Sequence, residues 1–158
     1  MPSISALIHT SNDERRLGRT LETLRPCDEI VIVDHASGDG TARVAREYGA
    51  KVIKAVSGVE NGAYAHDCKH DWILCLSPNE SLSEALEASL LEWKSNSEMD
   101  SSGFGVRVRT ESQNGNSFAP ELRLMNRTKI NWQGATPAMA PDAEILDGDL
   151  LRFEDTEV

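Results

Sequence analysis

The chain has 158 residues, a length that suits one domain able to bury a substantial core. Apolar residues make up 39% and charged residues 27%, which is typical of a soluble globular protein. The formal net charge of −10 argues against a nucleic acid or an anionic membrane as the partner.

The cysteine pattern and the lack of a recognisable targeting segment indicate where the protein is located. No apolar run approaches the roughly 20 residues of a membrane-spanning helix, and the first residues lack the pattern of a signal peptide. Cys27, Cys68 and Cys75 show no Cys-x-x-Cys spacing and, being three, cannot all pair within the chain. We therefore expect free thiols, no transmembrane segment and a cytoplasmic location.

The first predicted unit is a strand followed by a helix. Residues 3–9 form a short apolar run typical of a buried strand. Residues 10–14 supply helix-capping side chains and first-turn acids, and leucines then recur at helical spacing until Pro26.

The second unit predicts a turn that faces a ligand. Four β-branched residues, 30–33, indicate a strand buried on both faces, which ends at Asp34. A turn of small and polar residues follows, and then a helix from Thr41. Because ligands of such sheets bind outside the carboxyl ends of the strands, we expect Asp34 to face a ligand. Ser37 and Asp39 are also explained as helix caps, and the turn lacks a full glycine-rich dinucleotide fingerprint.

Two further strands and two helices are predicted before residue 95. Residues 50–53 indicate a short strand and residues 71–76 a buried one, with a short helix over residues 63–69 between them. Pro78 prevents continuation of the buried strand, and one of two serines, Ser81 or Ser83, is expected to cap the next helix.

Short strands dominate the rest of the chain. Residues 104–108 alternate apolar residues with arginines, as in an antiparallel strand with one face in water. Asn114-Gly115 indicates a turn, and residues 122–125 and 150–153 indicate two more strands.

Together the elements predict one α/β domain over residues 1–158 with a mixed, mainly parallel sheet. Residues 1–95 would form the ligand-binding half, and residues 103–158 would form a second half of short strands.

Two other clusters of side chains each have two explanations. His66 and His70 are four residues apart on the predicted short helix, so they suit either a two-histidine metal site or a solvated helix face. Arg107, Arg109 and Arg123 suit an anion-binding edge, or are ordinary strand arginines that face water.

Several segments carry a recognisable pattern. They include Thr10-Ser11-Asn12-Asp13-Glu14 after the first strand, Asp34-His35-Ala36-Ser37-Gly38-Asp39-Gly40-Thr41 after the second, and the strand at 71–76. These resemble, in order, the Thr-x-Asn-Glu opening, the Asp-x-x-Ser-x-Asp-Gly-Thr segment and the strand before the Asp-x-Asp motif of family 2 glycosyltransferases. Glu121-Leu122-Arg123-Leu124-Met125 and Trp132-Gln133-Gly134 resemble later segments of the small bacterial enzymes that add sugars to lipopolysaccharide cores.

The resemblance implies a GT-A-like, Rossmann-like fold with three α/β/α layers and a site for a nucleotide-diphospho-sugar. Thr10 and Asn12 would lie beside the nucleoside, and Asp34 would accept a hydrogen bond from the base. Ser37 belongs to the same nucleotide-binding segment. Asp39 would mainly hold the turn, with a direct ligand contact as the alternative.

The family's metal and base positions are changed in this chain. The resemblance implies Mn²⁺ or Mg²⁺ on an Asp-x-Asp-Glu tetrad, which is reduced here to Glu80 and the Asn79 amide oxygen. The family's His-Glu pair would fall near Pro137 and Ala138, which leaves Glu121 as the candidate catalytic base. We therefore expect weak or absent metal binding and slow or absent turnover.

The resemblance implies transfer of a sugar to a cytoplasmic acceptor, a glycan or lipid-linked precursor of the cell envelope such as lipopolysaccharide. The alternative is a GT-A domain that has lost catalysis and acts as a nucleotide-sugar-binding or regulatory module. Fold alone does not decide between them, because function depends on the site.

Overall fold

A computed structural model describes residues 2–59, 61–96, 101–110, 120–129 and 143–153. In chain order the elements are β1 (Ile4–Thr10), α1 (Glu14–Glu22), β2 (Glu29–Asp34), α2 (Thr41–Glu47), β3 (Lys51–Lys54), a 3-10 helix (Asn61–Asp67), β4 (Trp72–Leu76), β5 (Glu80–Leu82), α3 (Glu84–Ser95), β6 (Gly103–Thr110), β7 (Glu121–Asn126) and β8 (Glu144–Arg152).

All of these strands belong to one mixed sheet with the order β3-β2-β1-β4-β7-β6-β8-β5. The first four in that order are parallel, β7 is antiparallel to both of its neighbours, and β8 is parallel to β6 and antiparallel to β5. The strands that contain Ile4, Val31, Val52 and Ile73 are adjacent in this sheet, so the predicted α/β fold with a mixed, mainly parallel sheet is confirmed.

Side-chain alternation along the strands divides the core into two layers. On β1, Ile4 and Ile8 face the three α-helices and pack with residues such as Leu17 of α1 and Leu90 of α3. Leu7 points to the opposite face, where it packs with residues of the 3-10 helix. Helical layers on both faces of the sheet confirm the three-layer arrangement, and in the described ranges the 3-10 helix supplies the second layer.

The start of α3 is fastened to β8 by a serine and a glycine. Ser83 caps the helix as predicted, because its Oγ accepts a hydrogen bond from the Leu86 N–H at 3.2 Å. The same oxygen accepts a hydrogen bond from the Asp149 N–H, also at 3.2 Å. Gly148 has a φ of +95°, and a Cβ at this position would collide with the backbone nitrogen of Leu86. The junction therefore requires glycine at residue 148.

The predicted helix over residues 63–69 is a 3-10 helix that ends at Asp67. The tighter turn of the 3-10 helix buries Tyr64 and Ala65 against the sheet. His70 lies beyond its end, so His66 and His70 do not share a helix face as predicted. The turn predicted at Asn114-Gly115 lies outside the described residues. No helix in the described ranges is long and apolar enough to span a bilayer.

Candidate functional site

A crevice of about 450 Å³ opens at the carboxyl ends of β1 and β4. Its lining comprises His9, Thr10, Ser11, Asp13, Arg16, His35, Ser77, Pro78 and Asn79, and we call it the strand-end crevice. The strand order reverses beside β1, because the chain continues from β1 to β2 and β3 on one side and returns to β4 on the other. Open α/β sheets bind their ligands at such a switch point, which makes this crevice the candidate site.

Asp34 lies beside the strand-end crevice, at the end of β2. The Thr10 hydroxyl donates to Asp34 Oδ1 at 2.8 Å, and the Ser37 hydroxyl donates to the same oxygen at 2.5 Å. The Ser37 N–H donates to Asp34 Oδ2 at 3.2 Å. A carboxylate has about four acceptor positions, so three bonds fix the orientation of Asp34 and leave it able to accept one more from a ligand.

Asn12 links the turn after β1 to the turn after β2. Its N–H donates to Ser37 Oγ at 2.9 Å, and its Oδ1 accepts from the Gly38 N–H at 2.8 Å. Asn12 has a φ of 55°, which asparagine tolerates, whereas the φ of 54° at Ala36 is uncommon for a residue with a Cβ. The two turns therefore hold each other in a conformation that alanine alone disfavours.

Asp39 holds the start of α2. Its Oδ1 accepts hydrogen bonds from the hydroxyl and the N–H of Thr41, and its Oδ2 accepts from the Glu14 N–H at 3.3 Å. The Thr41 hydroxyl is the main cause that keeps the pKa of Asp39 below its ordinary value. Gly40 occupies the N-cap position itself, so Asp39 acts one residue earlier than a simple cap would.

The five predicted nucleotide-binding residues are close together in space. Thr10 lies in the crevice wall, although its side chain is only 1% exposed. Asn12, Asp34 and Ser37 form one hydrogen-bonded group with it. Asp39 lies in the turn behind this group and contacts α1 and α2.

Three crevice side chains were not singled out from the sequence: His9, His35 and Arg16. His9 Nδ1 lies 2.9 Å from His35 Nε2. The guanidinium of Arg16 pairs with Asp13, whose Oδ1 lies 2.5 Å from Arg16 Nε. The contact between the two histidines depends on the register of β1 and β2. Thr10 and Asp34 are opposite each other in the sheet, and His9 precedes Thr10 while His35 follows Asp34.

Glu80, a predicted metal ligand, is fully buried and surrounded by cations. Arg123 donates two hydrogen bonds to it, from Nη1 to Oε1 at 2.6 Å and from Nη2 to Oε2 at 2.9 Å. Arg152 Nη2 donates to the same Oε2 at 2.7 Å. The Arg152 Nε–H donates to the same oxygen at 3.0 Å, and the Ser77 N–H donates to Oε1 at 2.8 Å. Burial alone would raise the pKa of Glu80, but the hydrogen bonds and charge of Arg123 outweigh it and hold that pKa below its ordinary value.

Asn79, the other predicted metal ligand, fastens the loop after β4 to the end of β8. Its side-chain nitrogen donates to the Phe153 carbonyl at 3.1 Å, and the Phe153 N–H donates to the Asn79 carbonyl at 2.8 Å. Across the part of the chain that the structure describes, no group of three or more His, Cys, Asp or Glu side chains could hold a metal ion. These donors do not fit a hard divalent cation, which prefers several carboxylate oxygens.

Glu121, the candidate base, starts β7 at the same edge of the sheet as the strand-end crevice. Its side chain is 42% exposed and accepts a hydrogen bond from Arg123 Nη2 at 3.1 Å. Arg123 itself is 4% exposed, so the interpretation that it faces water is wrong. Arg107 and Arg109 do face water, as predicted from their alternation with apolar residues.

No protein-family model matches the chain, but curated relatives do. An uncharacterized glycosyltransferase of Rickettsia typhi is 35% identical over 91 residues, which cover 55% of this chain and 31% of that protein. The lipopolysaccharide core biosynthesis glycosyltransferase LpsC of Rhizobium meliloti is 32% identical over an alignment 172 residues long, which covers 95% of this chain and 63% of that protein. The chain thus spans about a third of the first relative and less than two thirds of the second.

Solved structures share the fold at low sequence identity. TarS of Staphylococcus aureus, in complex with UDP-GlcNAc, matches with a TM-score of 0.74 and 14% identity over 99% of this chain and 60% of that one. Glucosyl-3-phosphoglycerate synthase of Mycobacterium tuberculosis, in complex with Mn²⁺, UDP-glucose and phosphoglyceric acid, matches with a TM-score of 0.51 and 16% identity over 72% and 45%. The chain has the GT-A fold, and over part of their length it is similar in sequence to two bacterial glycosyltransferases, as its sequence resemblance predicted.

Proposed function

We propose that the chain binds a nucleotide-diphospho-sugar at the strand-end crevice and transfers the sugar to a glycan or lipid-linked acceptor in the cytoplasm. The observation that carries the proposal is the carboxylate of Asp34, which is fixed at a strand end beside the switch point of the sheet. The UDP-GlcNAc complex of TarS supports this ligand class, and the similarity to LpsC, a lipopolysaccharide core biosynthesis glycosyltransferase, supports the acceptor class.

The other four predicted nucleotide-binding residues would position Asp34 and the turn around the nucleoside. Asp34 would accept a hydrogen bond from an N–H of the base through its remaining acceptor position. Thr10 and Ser37 orient the carboxylate, since both hydroxyls donate to it. Asn12 and Asp39 hold the two turns that flank the nucleoside, which keeps the site assembled before the ligand arrives.

We further propose that donor binding does not depend on Mn²⁺ or Mg²⁺. The Mycobacterium tuberculosis neighbour was crystallised with Mn²⁺. In this chain the Glu80 carboxylate accepts hydrogen bonds from Arg123 and Arg152, and the Asn79 side-chain amide donates to the Phe153 carbonyl. A cation at this place would meet the carboxylate of Glu80 already balanced by two guanidinium groups.

For sugar transfer, an acceptor hydroxyl attacks the anomeric carbon of the donor while the nucleoside diphosphate leaves. A base must take the proton of that hydroxyl. Glu121 is the candidate, because it is partly exposed at the crevice edge of the sheet. Its hydrogen bond to Arg123 fixes one carboxylate oxygen and leaves the other toward Arg152, 3.9 Å away.

A second function is favoured by the same charge cluster. Both acids near the expected reaction centre, Glu80 and Glu121, are engaged by arginines. A domain with this arrangement would bind a nucleotide-sugar without transferring it, and would act as a binding or regulatory module.

Calorimetric titration with UDP-, GDP-, CMP- and dTDP-sugars, with and without Mn²⁺, tests the proposal. We expect one nucleotide class to bind, with the same affinity in Mn²⁺ as in EDTA. Release of the nucleoside diphosphate in the presence of candidate acceptors then separates the transferase from the binding module. The absence of binding for every nucleotide-sugar would overturn both functions.

A further inference from the structure

Two imidazoles stand together in the wall of the strand-end crevice. His9 is the last residue but one of β1, and His35 directly follows β2. His9 Nδ1 and His35 Nε2 are 2.9 Å apart, so one nitrogen carries the shared proton and the other accepts it. The ring of Tyr64, on the 3-10 helix, packs edge-on against His9 with the centroids 5.5 Å apart.

The crevice wall offers an anion few other sources of positive charge. Arg16 contributes a guanidinium group to the wall, and the carboxylate of Asp13 balances its positive charge. Ser77 and Asn79, from the loop after β4, are uncharged. The charged and titratable groups around the pair come from each neighbouring element: Asp13 just before α1 and Arg16 within it, Asp34 and Lys54 at the ends of β2 and β3, and Tyr64 of the 3-10 helix.

In the free protein His9 is neutral at pH 7. Burial, and secondarily the charge of His35, lower the pKa of His9 to about 4. Its Nε2 is buried without a hydrogen-bond partner among the described residues, which further disfavours a charge on this ring. A second positive charge is therefore expensive in this pair until a negative group lies nearby.

We propose that the His9–His35 pair takes up one proton from solvent when a diphosphate enters the strand-end crevice, and so supplies charge that a divalent cation would otherwise supply. This inference rests on the proposed function for the identity of the ligand. A nearby anion favours the charged form of an imidazole. With the proton on the exposed ring, His35 Nε2–H donates to His9 Nδ1, and the other nitrogen of His35 donates to a phosphate oxygen.

The consequence is proton-linked binding. If one proton is taken up, the affinity for a diphosphate increases by up to about tenfold for each unit by which the pH falls, within the range where the pair titrates. A nucleoside without phosphates gains nothing, because it brings no negative charge. The diphosphate of a nucleotide-sugar is a diester and does not itself titrate near neutral pH, so its own charge stays constant.

The test is calorimetry of UDP-GlcNAc and of uridine in EDTA at pH 6.0 and pH 8.0, in buffers with different ionisation enthalpies. We expect uptake of about one proton and about tenfold or more tighter binding of UDP-GlcNAc at the lower pH, with no change for uridine. His35→Gln should abolish the pH dependence. His66→Gln, which removes an exposed imidazole of the 3-10 helix, is the matched control and should behave like the parent.

A second readout uses the unmodified chain and a simpler anion. Inorganic sulfate keeps its charge from pH 6.0 to pH 8.0, and NMR of the imidazole protons reports the titration midpoint of the His9–His35 pair. A shift of that midpoint to higher pH with sulfate supports the inference even if no nucleotide-sugar binds. The absence of nucleotide-sugar binding would contradict only the proposed function. UDP-GlcNAc binding without proton uptake would overturn the inference and leave the proposed function standing. An unshifted midpoint with both anions would also overturn it.

Discussion

The carboxylate of Glu80 and the guanidinium of Arg123 form a buried, two-point ion pair with distances of 2.6 and 2.9 Å. Arg152 contacts the same carboxylate from β8, so one acid joins β5 to two other strands of the sheet. The sequence resemblance predicts a metal-binding acid at this position. Here its charge is used to hold the second half of the sheet together.

The ion pair should show strong energetic coupling. Glu80→Gln and Arg123→Met should each lower the free energy of unfolding by about 3 kcal/mol, since each leaves a buried group without its partner. The double variant should lose clearly less than the sum, because the second substitution removes the group that the first left unpaired. Urea unfolding of the four proteins measures this. Additive losses would contradict the contact.

The same pair makes stability depend on acid. Because the pKa of Glu80 is lower in the folded chain than its ordinary value of about 4.5, the unfolded chain binds a proton first as the pH falls. The stability it adds is present above that ordinary value and is lost as the pH falls toward the folded pKa. Glu80→Gln should therefore show a shallower decrease of the melting temperature below pH 4.5 than the parent. Parallel curves would show that other acids cause the decrease.

Gly148 provides a test of how α3 is attached to β8. Gly148→Ala places a Cβ against the backbone of Leu86 at a φ of +95°, and should cost about 3 kcal/mol. Gly49→Ala is the matched control, because its φ is +80° but no atom lies within 4 Å of the new Cβ. Backbone strain alone should cost it about 1 kcal/mol. Equal losses in thermal unfolding would contradict the proposed collision.

The three thiols should be unreactive in the folded chain. Burial raises the pKa of Cys27 and of Cys68 to about 12 and raises that of Cys75 further, so little thiolate exists at pH 8. We expect slow reaction with a disulfide reagent, beginning at Cys27, which is only half-buried. In urea all three should react at once. Fast labelling of Cys75 without urea would contradict the packing of β4.

Metal affinity should respond to two added carboxylates. Ser77→Asp with Asn79→Asp should raise Mn²⁺ affinity on the order of tenfold, since hard cations depend on charged oxygens. The Asn79 change also removes its hydrogen bond to Phe153 and should cost about 1 kcal/mol of stability. Ser57→Asp with Ala63→Asp adds the same charge at exposed positions and serves as the control. Tight Mn²⁺ binding by the unmodified chain would contradict the conclusion that the side chains of this loop do not fit a divalent cation.

The sequence predicted what depends on local pattern and missed what depends on distant pairing. The apolar run of β2 and the acid at its end were sufficient to predict Asp34 at the end of a buried strand, beside the strand-end crevice. Alternation in β7 was not sufficient for Arg123, because its partner Glu80 lies 43 residues away and alternation alone cannot show a buried charge balanced across strands. The contact between His9 and His35 likewise depends on the register of β1 and β2, which no local pattern shows.

The most direct test of the proposed site is the affinity of Asp34→Asn for the nucleotide-sugar that the unmodified chain binds most tightly, measured in EDTA. A hydrogen bond to a charged acceptor contributes about 1.5–3 kcal/mol, so we expect binding to weaken by about tenfold to a hundredfold. Asp67→Asn removes one exposed negative charge from the 3-10 helix and should leave the affinity unchanged. Equal affinities for Asp34→Asn and the parent, with both chains folded, would contradict the assignment of the nucleotide to this end of the sheet.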